Sequence, residues 1–322
     1  HGEGHSFPTR RSSDLLGAIG THATLCLAVG IFAGVLVPPL AAAARPLLTP
    51  AIFALIVVTV VRLDPGSLRA CLVRPRRVGL GVAWVLSGAP LVTLPVVHAA
   101  GGGFLGEHAI LMAAAAPVIS SAAYALILKL DVALALAVGV VATALVPFTL
   151  PPLAAFALGL ELAISPWHLL ARLTLLIGGA SLVAAAIRRL LGAARLVAQS
   201  RAIDGVAVLT MLVFGAAAMD GVTATALAEP GFVLGCLAVV FTLAVGLNLA
   251  ATLLFLRLGW RTAMTMGLVS GFNNFGVVVA AMGASADDRT VVFLGVAQLP
   301  IYLMPLALQH LVRRRQAREA GP

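Results

Sequence analysis

An adjacent amide pair, Asn273-Asn274, sits between Gly271 and Gly276 inside an otherwise apolar run. Amide side chains offer oxygens to a cation and N–H groups to an anionic solute, and a helix broken at glycine frees backbone carbonyls beside them. A second polar interruption reads Ala116-Pro117-Val118-Ile119-Ser120-Ser121, with Tyr124 one turn on. Ser120, Ser121, Phe272, Asn273 and Asn274 are therefore the candidate substrate- or ion-binding residues. Each polar member has a second reading. Asn and Ser also join membrane helices to one another, and a serine can bond back to its own helix. Asn248 and Gln298 stand alone in their runs and read as such helix-joining residues. No catalytic residue is expected. Hydrolytic or transfer chemistry needs a base beside a nucleophile, or a metal cluster, and the apolar runs contain neither. His98, His108 and His168 have no partner at ligand spacing, and Cys26, Cys71 and Cys236 are scattered without a paired pattern.

The elements that must position these residues are membrane helices. The chain is 61% hydrophobic and 10% charged, whereas a soluble domain has roughly a quarter of its residues charged. Each bilayer crossing takes roughly 20 apolar residues. Apolar runs fall at Leu16–Val37, Leu47–Val61, Val78–Val97, Ala109–Leu128, Val132–Phe156, Leu169–Ile187, Val206–Ala218, Phe232–Leu254, Thr262–Met282 and Val291–Leu311. The expectation is an all-α integral membrane protein of ten transmembrane helices, its second and seventh runs completed by flanking residues. The lipid bilayer is then its first partner.

Charge gives this count a sidedness. The even-numbered connections carry Arg62, Arg69, Arg74, Arg76, Arg77, Lys129, Arg188, Arg189, Arg195, Arg201, Arg257 and Arg261. The C-terminal end adds Arg313, Arg314, Arg315 and Arg318, while the opposite side has only Arg45, Arg172 and Arg289. By the positive-inside rule both termini are cytoplasmic. The net charge of +9 is explained by this bias, so no nucleic-acid partner is expected. Arginine outnumbers the single lysine and Ala, Gly, Val and Leu are abundant, a usage that points to a GC-rich bacterium and hence to its inner membrane. Glu107, Glu161, Asp220, Glu229, Asp287 and Asp288 fall in connections or at span ends. The mid-span regions hold no carboxylate.

The two polar interruptions are the fourth spans of successive five-helix sets. The fifth spans echo each other as well, with Pro147, Pro151 and Pro152 in one and Pro300 and Pro305 in the other. Two sets of five have opposite topologies because five is odd. The expected organisation is therefore two inverted five-helix repeats, residues 16–160 and 161–313, followed by a basic cytoplasmic tail, residues 314–322. Irregular backbone at membrane depth survives only where it is buried in protein or lines a cavity, and transporters with inverted repeats put broken helices at matching positions. Residues 1–15 are set apart. Phe7–Leu15 (FPTRRSSDL) reads as an in-frame translation of a sequencing-library adapter and lacks the apolar stretch of a signal peptide.

In order along the chain, several of these features resemble the bile acid:sodium symporter family and its bacterial relatives. They are Arg45-Pro46 through Pro50 to Arg62-Leu63-Asp64-Pro65, Arg74-Pro75-Arg76-Arg77, Ala89-Pro90-Leu91, Pro117, the turn Lys129-Leu130-Asp131-Val132-Ala133-Leu134, Pro147, Pro151 and Pro152, and Gly271-Phe272-Asn273-Asn274. The resemblance covers Leu16 to Leu311. It implies ten helices in two inverted repeats, with spans four and nine broken and crossing at the substrate site, and sodium-driven inward movement of organic anions. The family's span-nine pattern Glu-x-Gly-Met-Gln-Asn reads Val269-Ser270-Gly271-Phe272-Asn273-Asn274 in this chain. Asn274 matches the family asparagine, Asn273 replaces the glutamine, and the sodium-binding glutamate falls on Val269. The family's Ser-Asn of span four falls on Ser121-Ala122 or Ala122-Ala123, its span-three glutamine near Val85, and its span-five hydroxyls on Ala135 and Gly139.

Sodium in a bilayer needs several oxygen ligands, usually with a charge among them. The expected function is thus a secondary transporter of a small organic, anionic solute by alternating access, with the usual two-sodium coupling lost or altered. No cofactor is expected, and sodium is the one ion in question. A sodium-independent carrier, channel-like or sensory protein on the same fold is the alternative, and a membrane-embedded enzyme is the weaker rival.

Overall fold

The computed structural model describes residues 23–63, 66, 74–158 and 164–319. The expected adapter-derived segment, residues 1–15, lies outside the described residues, as does the first part of the first expected span. The described chain is almost wholly helical. In its first half run α1 (Ala23–Leu36), α2 (Pro38–Ala44), α3 (Leu48–Arg62), α4 (Pro75–Ala83), α5 (Ala89–Ala99), α6 (Gly103–Ala114), α7 (Ser121–Ile127) and α8 (Val132–Leu158). A 3-10 turn at Arg45–Leu47 joins α2 to α3, and a π-helical turn at Trp84–Gly88 joins α4 to α5. Then come α9 (Pro166–Ala198), α10 (Ser200–Ala218), α11 (Val222–Ala228), α12 (Pro230–Phe255), α13 (Trp260–Gly271), α14 (Phe275–Met282) and α15 (Asp288–Glu319).

Among the described residues, six helical stretches are long and apolar enough to cross a membrane: Pro38–Arg62, Pro75–Ala99, Val132–Phe156, Pro166–Ala198, Ser200–Ala228 and Pro230–Leu258. The short second and seventh apolar runs are completed by flanking helix, as Pro38–Arg62 and Ser200–Ala228. The fourth and ninth are interrupted, leaving the shorter apolar helices Gly103–Ala114 and Phe275–Ser285. Helical backbone continues to Glu319, through most of the segment read as a basic tail.

Local sequence explains many of the helix ends. Pro38, Pro75, Pro166 and Pro230 each open a helix, where the missing N–H is one that would have no intrahelical partner. Asp131 accepts from Leu134 N–H at 3.0 Å and caps α8, and Asp287 accepts from Thr290 N–H at 2.7 Å and caps α15. The turn read at Lys129-Leu130-Asp131 separates α7 from α8, with Lys129 in the left-handed region at φ 54°.

The helices form two compact units, residues 1–62 with 179–223 and residues 63–178 with 224–322. Each draws on both sequence halves, so the compact units and the expected repeats are different divisions of the chain. In the first unit, Gly30 and Gly34 let α1 approach α10. A methyl group at either would sit 2.9 Å from the carbonyl oxygen of Leu212 or Ala216. Arg45 pairs with the largely buried Asp220 at 3.0 Å and Arg62 with Asp204 at 2.8 Å. Arg188 donates to Val61 O at 2.7 Å, placing a cation at the negative end of α3.

The second unit repeats the device with different helices. Gly267 and Gly271 on α13 face α12. A methyl group at Gly271 would lie 2.7 Å from Ala244 O, and one at Gly267 would press on Thr252 Oγ1 and lie 2.7 Å from Asn248 O. Small residues four apart permit such close packing where no hydrophobic effect drives helices together. Arg172 on α9 donates to Met282 O at 2.6 Å, at the last turn of α14. His108, for which the sequence suggests no partner, is buried and bonded at both nitrogens. Nδ1 is 2.8 Å from Phe104 O, which can only accept, so Nδ1 donates and Nε2 accepts from the Thr290 hydroxyl at 2.8 Å. This imidazole joins α6 to α15.

Gly267→Ala should destabilise the protein by about 1–3 kcal/mol, the usual cost of overpacking, because its methyl group meets backbone as well as a side chain. Gly246→Ala on α12, where nothing lies within 4 Å of the added carbon, should be neutral. Denaturation in mixed detergent micelles distinguishes the two.

Candidate functional site

The two interruptions meet within the second unit. Pro117 removes an N–H and biases Ala116 away from helical backbone, so α6 ends at Ala114 and Ala115 is extended at φ −70°, ψ 148°. On the other side α13 ends at Gly271, Phe272 opens to φ −116°, ψ 79°, and Asn274 stands before α14. These short extended segments form an isolated antiparallel bridge, Pro117 opposite Asn273. Val118 N–H donates to Phe272 O and Asn274 N–H donates to Ala116 O, both at 2.8 Å. Pro117 thus occupies the position of the pair whose N–H would point away from the partner. Each break supplies what the other lacks.

The candidate residues occupy distinct places around this bridge. Asn273 is buried and its Oδ1 has no hydrogen-bond partner; Ser121, fully buried at the start of α7, has an unpartnered Oγ. Asn274 is half-buried and precedes α14 without using its side chain as a cap. Ser120 is half-buried too, and its side chain makes no cap bond to α7, although its carbonyl accepts from Ala123 and Tyr124 N–H. Phe272 is fully buried, its ring edge-on to Tyr124 at 5.6 Å between centroids. Its side chain therefore joins α7 to the bridge by packing.

A buried polar atom without a partner costs about 1–3 kcal/mol. Two more such atoms are Asn248 Nδ2 and Thr252 Oγ1, on the face of α12 that Gly267 approaches. Asn248 therefore leaves an amide donor open, whereas Gln298 donates within its own helix, to Leu294 O at 3.1 Å. Neither shows the interhelical side-chain bond expected of it. Among the positions on which the resemblance puts ion-binding polar residues, Val85, Ala135 and Val269 are buried and apolar.

One contact at the site has no signature in the sequence. Trp84, in the π-helical turn, donates its indole N–H to Ser270 Oγ at 2.8 Å, one residue before the α13 break. Its ring lies over Gly88 and packs with Ala89, Ala113 and Leu247. A π-helical turn leaves little trace in hydrophobic periodicity, and the spacing between Trp84 and Ser270 is set by the fold alone. A shallow apolar groove lies elsewhere in this unit, between α4 and α8, lined by Val78, Val82, Leu86, Val141 and Leu145. No residue of the bridge lines it.

Fold and site together define a class, a helical membrane-embedded protein with two interrupted helices paired through their backbones. No family model matches the chain, and no curated protein is significantly similar to it. The likeness to bile acid:sodium symporters therefore rests on the residues quoted above.

Trp84→Phe keeps the ring and removes the donor, while Ser270→Ala removes the acceptor. A double-mutant cycle between them should give a coupling of about 0.5–1.5 kcal/mol. Additive effects in the same detergent denaturation would mean that the bond does not hold the break.

Proposed function

We propose that the protein is a secondary transporter that moves a small organic solute by alternating access around the paired breaks. The observation that carries this reading is the bridge itself, with buried, unpartnered Asn273 Oδ1 and Ser121 Oγ close to it in the chain. Stable cores keep few open hydrogen-bonding atoms at such a cost, and a solute that arrives and leaves can satisfy these two transiently. An uncapped Asn274 side chain beside the same bridge is free to take part. In the accompanying topology ten spans form two inverted repeats in a bacterial inner membrane, with both termini cytoplasmic.

Ion pairing supports that sidedness. Arg62–Asp204 and Arg74–Asp131 each join residues assigned to the arginine-rich side. Arg45–Asp220 and Arg289–Glu229 each join residues assigned to the opposite side. A span miscounted between two such partners would put them on opposite faces of the bilayer.

Buried valines and alanine at the family's ion positions favour transport without two-sodium coupling. The test is uptake into proteoliposomes of radiolabelled organic anions ranging from taurocholate to pyruvate. Saturable uptake should persist when external sodium is replaced by potassium, and a proton gradient is the alternative drive. Uptake that follows a sodium gradient would refute the loss of ion coupling. Asn274→Ala should lower the initial rate at least about tenfold with an unchanged yield of folded protein. Normal uptake by that variant removes the site from the bridge.

A further inference from the structure

The first compact unit carries a second feature, at the far end of α9. This helix is long for a bilayer. At about 1.5 Å per residue the stretch Pro166–Leu191 extends roughly 39 Å, against a hydrocarbon core of roughly 30 Å. Its apolar run ends at Ile187, and Arg188 and Arg189 follow directly. At Gly192 the backbone turns sharply, with φ 71° and ψ 160°, a conformation open to glycine and strained for any other residue. The segment after it, Ala193–Gln199, leads into α10 and is exposed except for half-buried Leu196.

Charged and apolar groups are mixed on this elbow. Arg189, Arg195 and Arg201 are all exposed, and none forms an ion pair or side-chain hydrogen bond among the described residues. Their neighbours Arg62 and Arg188 are occupied by Asp204 and by Val61 O. Between the free arginines stand Leu190 and Val197, 81% and 76% exposed. Arginine forks match phosphate oxygens, often in a bidentate manner, and exposed aliphatic side chains at the end of a membrane-crossing helix fit acyl chains.

We infer that the Gly192 elbow is a binding site for the headgroup of an anionic phospholipid. Arg189, Arg195 and Arg201 donate to the phosphodiester and its neighbours, while Leu190 and Val197 enter the hydrocarbon edge. The glycine kink turns the segment from the bilayer normal so that cations and aliphatic groups meet the interface together. This inference does not depend on the transport reading, since it concerns a different unit and a different ligand.

The experiment titrates phosphatidylglycerol into purified, delipidated full-length protein in neutral detergent and counts retained lipid by native mass spectrometry. Phosphatidylcholine and inorganic phosphate are run alongside. Phosphatidylglycerol should be retained in preference to phosphatidylcholine, with weaker retention at high salt. R189Q/R195Q/R201Q should weaken half-saturation on the order of 100-fold, from roughly fivefold per arginine. The triple lysine variant should retain most of the binding. Arg195→Gln alone, at an exposed position outside the apolar run, should cost roughly fivefold and serves if the triple variant does not fold. Equal retention of the two lipids, or unchanged retention in the glutamine variants, overturns the assignment. Displacement of phosphatidylglycerol by millimolar phosphate does so as well, because the elbow would then be a free-anion site.

Discussion

Unpaired backbone is the governing constraint on this molecule. Inside a bilayer an N–H or C=O without a partner costs several kcal/mol, so an apolar helix cannot be interrupted unless something else completes its hydrogen bonds. Here the partner for one interruption is the other. Two bonds of 2.8 Å, Val118 N–H to Phe272 O and Asn274 N–H to Ala116 O, let both helices open at once. Much of the second unit can be read as support for that exchange. Close packing at Gly267 and Gly271 seats α13 on α12, Trp84 holds Ser270 just before the break, and Arg172 secures the far end of α14.

The same physics separates what the sequence discloses from what it conceals. Composition and run length are one-dimensional, so the helical class, the apolar stretches and both interruptions are legible without coordinates. Pro117 and Gly271 announce their breaks because proline lacks a donor and glycine admits close approach. The turn at Lys129 is legible for the same local reasons. Partner choice is different in kind. That Trp84 meets Ser270, or that His108 meets Thr290 from a helix 182 residues away, depends on tertiary placement that no spacing rule carries. Ser121 and Asn273 were legible as polar residues in apolar runs. That their side-chain oxygens remain open, and that the Phe272 ring is taken up by Tyr124, emerges only from the packed structure.

The two units share one architectural habit. In each, a pair of glycines four apart on one helix meets backbone carbonyls of its neighbour: Gly30 and Gly34 on α10, Gly267 and Gly271 on α12. Lipid tails are as apolar as leucine, so helices in a membrane gain from tight van der Waals contact more than from burial as such. Such contacts tolerate little added volume. Arginines then finish the helix ends, at α3 through Arg188 and at α14 through Arg172, where the macrodipole favours a cation. Charge is scarce, and much of it is spent at helix ends.

Pro117 also guards the register of the bridge. An extended segment can slip against its partner by one residue only by turning its inward groups outward. For the segment around Pro117 that slip would present the proline, which has no N–H, at a place where a donor is required. The pairing is therefore keyed against the adjacent register. If the two helices part during a working cycle, they can re-engage in the register they left, and an out-of-step closure is discouraged by the chemistry of one imino acid.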